Sequence, residues 1–414
     1  MSEPLVVIGN GMAAARLVDE LTRLAPGRFD ITVVGEEPDL AYNRVLLSSL
    51  LAREVTRQDI ELKPRSWWEE RGVTLVCGRQ ASDIDVRRGI VRVRGGKKLP
   101  FARLVLATGS EPVRLPLPGA DLPGVMTFRN VGDVDAMLRL ARPGAPAVVI
   151  GGGLLGLEAA YGLKKAGADV TVVHLMDRLM ERQLDARAAA MLKDAMEAQG
   201  IRVLLEAESA AVQGRRKVRG LRLADGRTID ADLLVMAAGI RPRAGLARVA
   251  GLAVQRGILV DDQLQTSAPG VYALGECAEH RGACYGLVEP AYEQARVLAG
   301  HLTGEPAEYQ GSLLSTNLKV SGVDVFSAGD FIGESGTEPI VYSDPEEGVY
   351  RKLVIRDDRI AGVVLVGDTS DALWYLELLR NRVAISDMRD GLVFGRGFCE
   401  AAPQSASPVQ AEAA

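Results

Sequence analysis

Two stretches of this chain share one construction, and together they restrict the fold more than any other feature. The apolar run Leu5–Ile8 ends in Gly9-Asn10-Gly11-Met12-Ala13-Ala14, and the run Ala147–Ile150 ends in Gly151-Gly152-Gly153-Leu154-Leu155-Gly156. Each is followed by helical periodicity and then by a second apolar strand, Ile31–Gly35 in one case and Val170–His174 in the other. Strand, Gly-x-Gly-x-x-small residue, helix, strand is the dinucleotide fingerprint. The first glycine permits the tight turn, the second lets backbone approach a pyrophosphate, and the third small residue lets helix pack on sheet. An anion then lies at a helix N-terminus, where free N–H groups and the helix dipole favour it. One such pattern is weak; two complete ones about 140 residues apart are hard to obtain by chance and imply two nucleotide sites.

A chain of 414 residues is too long for one ordinary core, so two or three domains are expected. Its 47% hydrophobic and 25% charged residues are those of a globular protein, and the net charge of -5 argues against a nucleic-acid partner. The polar first residues lead at once into a buried strand, so no signal peptide is expected. No apolar run reaches the roughly 18 residues of a membrane span. Four cysteines (Cys77, Cys277, Cys284, Cys399) with no Cys-x-x-Cys supply neither a disulfide framework nor a redox dithiol. A cytoplasmic location is the corresponding expectation.

Taken in order, the periodicity predicts a helix from Met12 to about Leu24, broken by Pro26-Gly27. Glu36 follows the next strand, about 25 residues past Gly11, where a carboxylate can accept both hydroxyls of an adenosine ribose. Arg44 is the one cation in the apolar segment Ala41–Leu51; it either snorkels to water or meets a pyrophosphate. Trp67-Trp68 are expected to anchor a helix. The run Phe101–Ser110 reads as a buried strand ending in Ala107-Thr108-Gly109, whose small residues permit close approach to a ligand. Helices are expected at Val131–Leu140, Asp185–Gln199, Pro290–Leu302 and Ser370–Arg380, and strands at Ile90–Val93 and Val218–Leu223, while the run Leu233–Pro242 echoes the strand that ends in Ala107-Thr108-Gly109. The run Thr266–Ala278 reads as another strand, which stops at Gly275-Glu276. The last stretch alternates apolar and polar residues (Val323–Ser327, Tyr350–Ile355, Ile360–Val366) and carries no glycine fingerprint. From Ala401 the composition turns to Ala, Pro, Ser and Gln, which predicts a disordered tail.

This ordered set resembles the two-dinucleotide pyridine nucleotide–disulfide oxidoreductase superfamily over nearly all of the chain. The resemblance implies an α/β fold: two Rossmann-like dinucleotide-binding domains, glutathione-reductase-like, plus a C-terminal α+β domain. The implied boundaries are an FAD-binding domain at residues 1–111 and 235–305, an NAD(P)H-binding domain at 112–234 inserted into it, the C-terminal domain at 306–400, and the tail at 401–414. Carried over residue by residue, Gly9, Gly11, Met12, Ala13, Ala14, Glu36, Arg44, Ser48, Thr108, Gly109, Gly275 and Glu276 become FAD contacts. Gly151, Gly153, Leu154, Leu155, Gly156, Glu158 and His174 become contacts of the nicotinamide nucleotide, with Glu158 near the nicotinamide carboxamide.

The departures from the pattern narrow it. The disulfide branch needs a Cys pair near the flavin, and this chain has none. The ferredoxin and rubredoxin reductase branch shows Arg-Pro-Pro-Leu-Ser-Lys; here the run is Arg44-Val45-Leu46-Leu47-Ser48-Ser49, with Ser49 in place of the Lys. Gly275-Glu276-Cys277-Ala278-Glu279-His280, Leu179–Asp185 and Ser315–Val325 are similar to the flavin half of NAD(P)H nitrite reductases and to electron-transfer subunits of assimilatory nitrate reductase. Those longer proteins carry cysteine-rich iron–sulfur and sirohaem modules, for which this chain has no cysteines beyond Cys399 after Cys284. The implied activity is electron input: NADH, with NADPH open, gives hydride to FAD, and electrons pass to an iron–sulfur or sirohaem reductase protein. A ferredoxin or rubredoxin reductase for another redox system, or a nicotinamide-sensing flavoprotein, are the alternatives.

Three readings concern individual side chains. His174 stands where NADH-dependent members often carry Glu, and its imidazole can hydrogen-bond a ribose; Arg178 either meets a 2′-phosphate or is a surface residue. Cys277, His280 and Cys284 lack the paired spacing and the fourth ligand of a zinc site, so no metal is expected. Cys277 is expected to pack as a small hydrophobe, and His280 to lie at the surface.

Overall fold

The computed structural model describes residues 2–320 and 323–401; the expected tail falls outside them except for its first residue. The chain forms two compact units. One comprises residues up to Gly151, Glu158–Val172 and Glu208–Ser312; the other comprises Gly152–Leu157, Val173–Ala207 and the residues from Leu313 onwards.

The elements that position the site are, in order, β1 (Glu3–Ile8), α1 (Met12–Leu24), β2 (Phe29–Val34), α2 (Leu47–Leu51), β3 (Thr74–Val76), β4 (Arg103–Leu106) and β5 (Ser110–Pro112). Then come β6 (Val125–Thr127), α3 (Val131–Leu140), β7 (Pro146–Ile150), α4 (Leu154–Lys165), β8 (Asp169–Val173), α5 (Ala186–Ala198) and β9 (Arg202–Leu204). They are followed by β10 (Leu233–Met236), β11 (Ile240–Pro242), β12 (Val271–Ala273), β13 (Ala278–His280) and α6 (Val288–Thr303). The C-terminal stretch gives β14 (Ser315–Val320), β15 (Val323–Gly329), β16 (Glu338–Asp344), β17 (Val349–Arg356), β18 (Arg359–Val366) and α7 (Ala372–Arg380).

In the first unit a five-stranded parallel sheet runs β12-β4-β1-β2-β3. Its strands are continuous apolar runs because both faces are covered, as parallel sheets require: Leu5–Ile8 and Leu104–Leu106 are all buried. α1 turns Leu17, Val18 and Leu21 inward, and Ala295, Leu298 and Ala299 of α6 join the same cluster. Trp68 is the anchor its position promised, 1% exposed in that cluster. A second sheet has the neighbouring order β8-β7-β10-β6, with β10 parallel to both β7 and β6. β5 and β11 pair as an antiparallel ribbon.

In the second unit the sheet is antiparallel, in the order β14-β15-β18-β17-β16. α7 covers one face of it through Tyr375, Leu376 and Leu379, packed with Leu353, Val363 and Leu365. Asp185 caps α5 by accepting from Ala188 N–H at 3.0 Å. Its other carboxylate oxygen takes the Tyr350 hydroxyl at 2.8 Å and lies 3.2 Å from Lys352 Nζ. The α/β class, the paired Rossmann-like sheets and the C-terminal sheet are those expected from sequence.

Candidate dinucleotide sites

The first fingerprint is a turn from β1 into α1. Gly9 has φ +119°, and a Cβ there would press on the carbonyl of Ala107, lying 2.6 Å from its carbon. Gly9 N–H donates to Val34 O and Ala107 N–H to Ile8 O, so β1, β2 and the Ala107-Thr108-Gly109 turn are locked at one sheet end. In front of Gly11 the space is open: an added Cβ would meet nothing within 4 Å. No side chain caps α1, so its first N–H groups face that opening without a side-chain acceptor. An open cradle at an uncapped N-terminus fits the pyrophosphate of FAD.

Side chains from distant segments converge on this end of the sheet. Glu276 accepts from Ser110 Oγ at 2.9 Å and pairs with Arg129. Arg129 is held in turn, because its backbone N–H donates to Asp133 Oδ2 at 2.8 Å and Asp133 closes the capping box of α3. Arg44 sits at the same place, donating to Arg129 O and to the Tyr42 hydroxyl, each at 3.0 Å, and pairing with Glu37. The Tyr42 hydroxyl donates to Glu37 at 2.6 Å, and burial pushes its pKa up. Glu36 is half exposed and takes Arg243 at 2.7 Å, while Thr108 Oγ donates to the backbone carbonyl of Arg243 at 2.7 Å. Gly275 N–H donates to Gln294 of α6 at 2.6 Å. Ser48 lies in α2. The structure therefore gathers Gly9, Gly11, Thr108, Gly109, Gly275, Glu276 and Arg44 around one sheet end. It adds Tyr42, Ser110, Arg129, Arg243 and Gln294, which sequence reasoning did not single out. Only Arg129 had a local signal: it precedes Asn130-Val131-Gly132-Asp133, a capping-box spacing that fixes the preceding loop.

Arg129→Ala leaves the Glu276 carboxylate, 19% exposed, without its cation. The expected result is a loss of roughly 1–3 kcal/mol in urea unfolding.

The second fingerprint repeats the first. Gly151 has φ +123°, and its Cβ would lie 2.8 Å from the carbonyl carbon of Ala237. Gly153 opens onto free space like Gly11, and Leu154 begins α4. This cradle fits a second dinucleotide pyrophosphate. Glu158, in the second turn of α4, is half-buried, and desolvation alone pushes its pKa up to about 7. His174 is buried, with both ring nitrogens engaged inside its own unit: Nδ1 with Gly152 N–H at 3.0 Å and Nε2 with Glu181 at 3.1 Å. Arg178 faces Asp177 at 3.1 Å.

Two expectations on the third strand end divide. Cys277 is fully buried in an apolar cluster, as expected; its thiol donates to Leu106 O and Leu274 O at 3.3 Å, and burial pushes its pKa up. His280 is not a surface residue. It is 1% exposed, with Nε2 2.8 Å from Asp262, because β13 pairs with the strand Ile258–Val260 and carries the ring under that segment. Arg281 and His280 together hold the Asp262 carboxyl down at about 2.

Among the described residues, no helix is long and apolar enough to cross a membrane. The model of the pyridine nucleotide–disulphide oxidoreductase family matches residues 3–297, and that of the rubredoxin NAD+ reductase C-terminal domain matches residues 315–383. A nitrite reductase [NAD(P)H] of Bacillus subtilis is 47% identical over 92% of this chain and 48% of its own length. The assimilatory nitrate reductase electron transfer subunit of the same organism is 44% identical over 92% of this chain and 50% of its own. The chain thus spans about half the length of these curated relatives. Among solved structures, putidaredoxin reductase in its covalent complex with putidaredoxin superposes with a TM-score of 0.85 at 25% identity, over 92% of this chain and 94% of that one. With two dinucleotide cradles on parallel sheets and a family model covering well over half of its length, the chain belongs to the pyridine nucleotide–disulphide oxidoreductase family.

Proposed function

We propose that this chain is an electron-input module: FAD at the first fingerprint, a reduced nicotinamide at the second, and an iron–sulfur protein as acceptor, in assimilatory nitrite or nitrate reduction. On this reading residues 1–111 and 235–305 form the FAD-binding domain, 112–234 the inserted nicotinamide domain and 306–400 the C-terminal domain. The observation that carries it is the pair of like-built cradles, each an uncluttered glycine before a helix, in a chain without a Cys-x-x-Cys to take the electrons onward. The names of the Bacillus relatives supply the process, and the rubredoxin-reductase match supports an iron–sulfur acceptor.

Bound FAD supplies acceptance of hydride and its release as single electrons. The chain's own residues bind and orient. The N–H groups at the start of α1 would hold pyrophosphate oxygens, and Glu36, already bonded by Arg243, would accept ribose hydroxyls. Arg129 and Ser110 fix the rotamer of Glu276, while Arg44, braced by Glu37 and Tyr42, places positive charge beside the cradle. Leu154 and Leu155 open α4 toward the second pyrophosphate.

The purified protein is expected to be yellow, to bleach rapidly with NADH without oxygen, and to pass electrons catalytically to an iron–sulfur acceptor. A colourless protein that takes up no FAD refutes the reading. Bleaching that is slow and ends in a long-lived charge-transfer band, with no acceptor reduced, moves it to a sensor.

A further inference from the structure

The residue at the end of β8 is the one expected to face the ribose of a bound nicotinamide nucleotide, and here its ring is turned into the protein. His174 Nδ1 lies 3.0 Å from the backbone nitrogen of Gly152, which donates to it. A ring nitrogen that accepts an N–H carries no proton, so the proton of the neutral ring sits on Nε2 and is donated to Glu181, 3.1 Å away. The backbone of His174 is held as well, its N–H by Leu204 O at 2.8 Å and its carbonyl by Ala207 N–H at 2.9 Å. The carbonyl of Gly152 takes Met180 N–H at 2.9 Å. Both backbone polar atoms of Gly152 are therefore tied to the segment that follows β8. The fit is close: a Cβ on Gly152 would lie 2.7 Å from His174 Cγ and 2.7 Å from Leu179 Cδ2.

The geometry points to His174 as a positioning residue that sets the loop of the second fingerprint and leaves the 2′ position of the adenosine unread, so that NADH and NADPH are accepted alike. The inference rests on the second fingerprint being the nicotinamide-nucleotide site. A carboxylate at this strand end, bonded to the ribose hydroxyls, is what repels a 2′-phosphate; here the place is taken by an imidazole with no unused nitrogen. The next residues restore no preference. Leu175 and Met176 are exposed and apolar, and Asp177 and Arg178 offer opposite charges 3.1 Å apart. Beyond them Glu181 is taken by the ring, and Arg182 lies 3.9 Å from Glu181.

The test is calorimetric binding of NAD+ and NADP+ to the FAD-loaded protein, which involves no turnover. The two are expected to bind within about fivefold of each other. His174→Asn places an acceptor oxygen where Nδ1 stood and should bind like the parent. His174→Leu removes that acceptor and should bind about tenfold more weakly, with FAD content and urea midpoint reporting that it has folded. A preference for NAD+ above about thirtyfold, or identical binding by the Asn and Leu variants, overturns the inference. If the parent binds neither dinucleotide, the nucleotide reading of the second fingerprint falls with it.

Discussion

A Gly9→Ala variant is expected to lose its FAD and roughly 3–5 kcal/mol of stability, because two penalties meet at one atom. The backbone there is at φ +119°, which an L side chain rarely adopts, and the new Cβ would be driven into the Ala107 carbonyl. Neither partner is a flexible side chain that can swing aside. Gly11→Ala makes the contrast. Gly11 has an extended backbone, φ -101° and ψ -169°, and open space before it. Its methyl group should leave stability within about 1 kcal/mol while occupying the room that the pyrophosphate needs. Flavin absorbance after gel filtration and urea unfolding of the two variants separate the effects. A Gly9→Ala protein that keeps stoichiometric FAD and a parental midpoint would refute the argument.

Glu158→Gln is expected to stabilise the protein in a strongly pH-dependent manner. The carboxyl of Glu158, with an ordinary pKa of 4.5, holds its proton to about 7 in the folded chain because burial disfavours the charge. The folded state thus binds this proton more tightly than the unfolded state. Its contribution is complete below about pH 4.5 and is lost as the pH rises through 7. A tenfold difference in proton affinity between the folded and unfolded chains is worth about 1.4 kcal/mol, so the parent should fall behind the Gln variant by roughly 2–3 kcal/mol between pH 5 and pH 8. Urea midpoints of both proteins at the two pH values measure the gap. A gap that does not widen with pH shows that the carboxyl is solvated. Burial is the one cause of the shift, with no charged neighbour contributing to it.

The glycine cradles were legible because their constraints are local. A positive φ, an open face and a following helix are imposed within six residues, and the helix expected from Met12 to about Leu24 spans Met12–Leu24. Val131–Leu140 and Ile90–Val93 also stand as expected. Pro290–Leu302 starts two residues earlier, at Val288, since a proline in the first turn of a helix needs no N–H partner. The strands Ser315–Val320 and Glu338–Asp344 carry no clear strand pattern. The second is largely exposed and holds Pro339, which suits the sheet edge it occupies and mutes an apolar alternation. What the sequence could not convey was partnership across distance. Arg129 meets Glu276 from far along the chain, Arg243 reaches Glu36, and Asp262 draws His280 out of water. His174 fell between these cases: its position was legible, but the direction of its ring depended on Gly152 and Glu181 together.

The strand order of the first sheet bears on how the protein is made. β4 lies between β1 and β12, and β12 is synthesised only after the whole second fingerprint and its sheet have emerged. Until then one side of β4 has no neighbour, and Leu104, Val105 and Leu106, fully buried in the finished fold, border an open edge. Late, non-local strand pairing of this kind is slow and leaves a template for mispairing. In the C-terminal sheet the wait is shorter, since β15 is joined by β18 after only β16 and β17, and β16, β17 and β18 pair as a meander of successive hairpins. Translation thus meets its most hazardous interval in the middle of the chain, and the pairing that ends it is that of Val271–Ala273 with Leu104–Leu106.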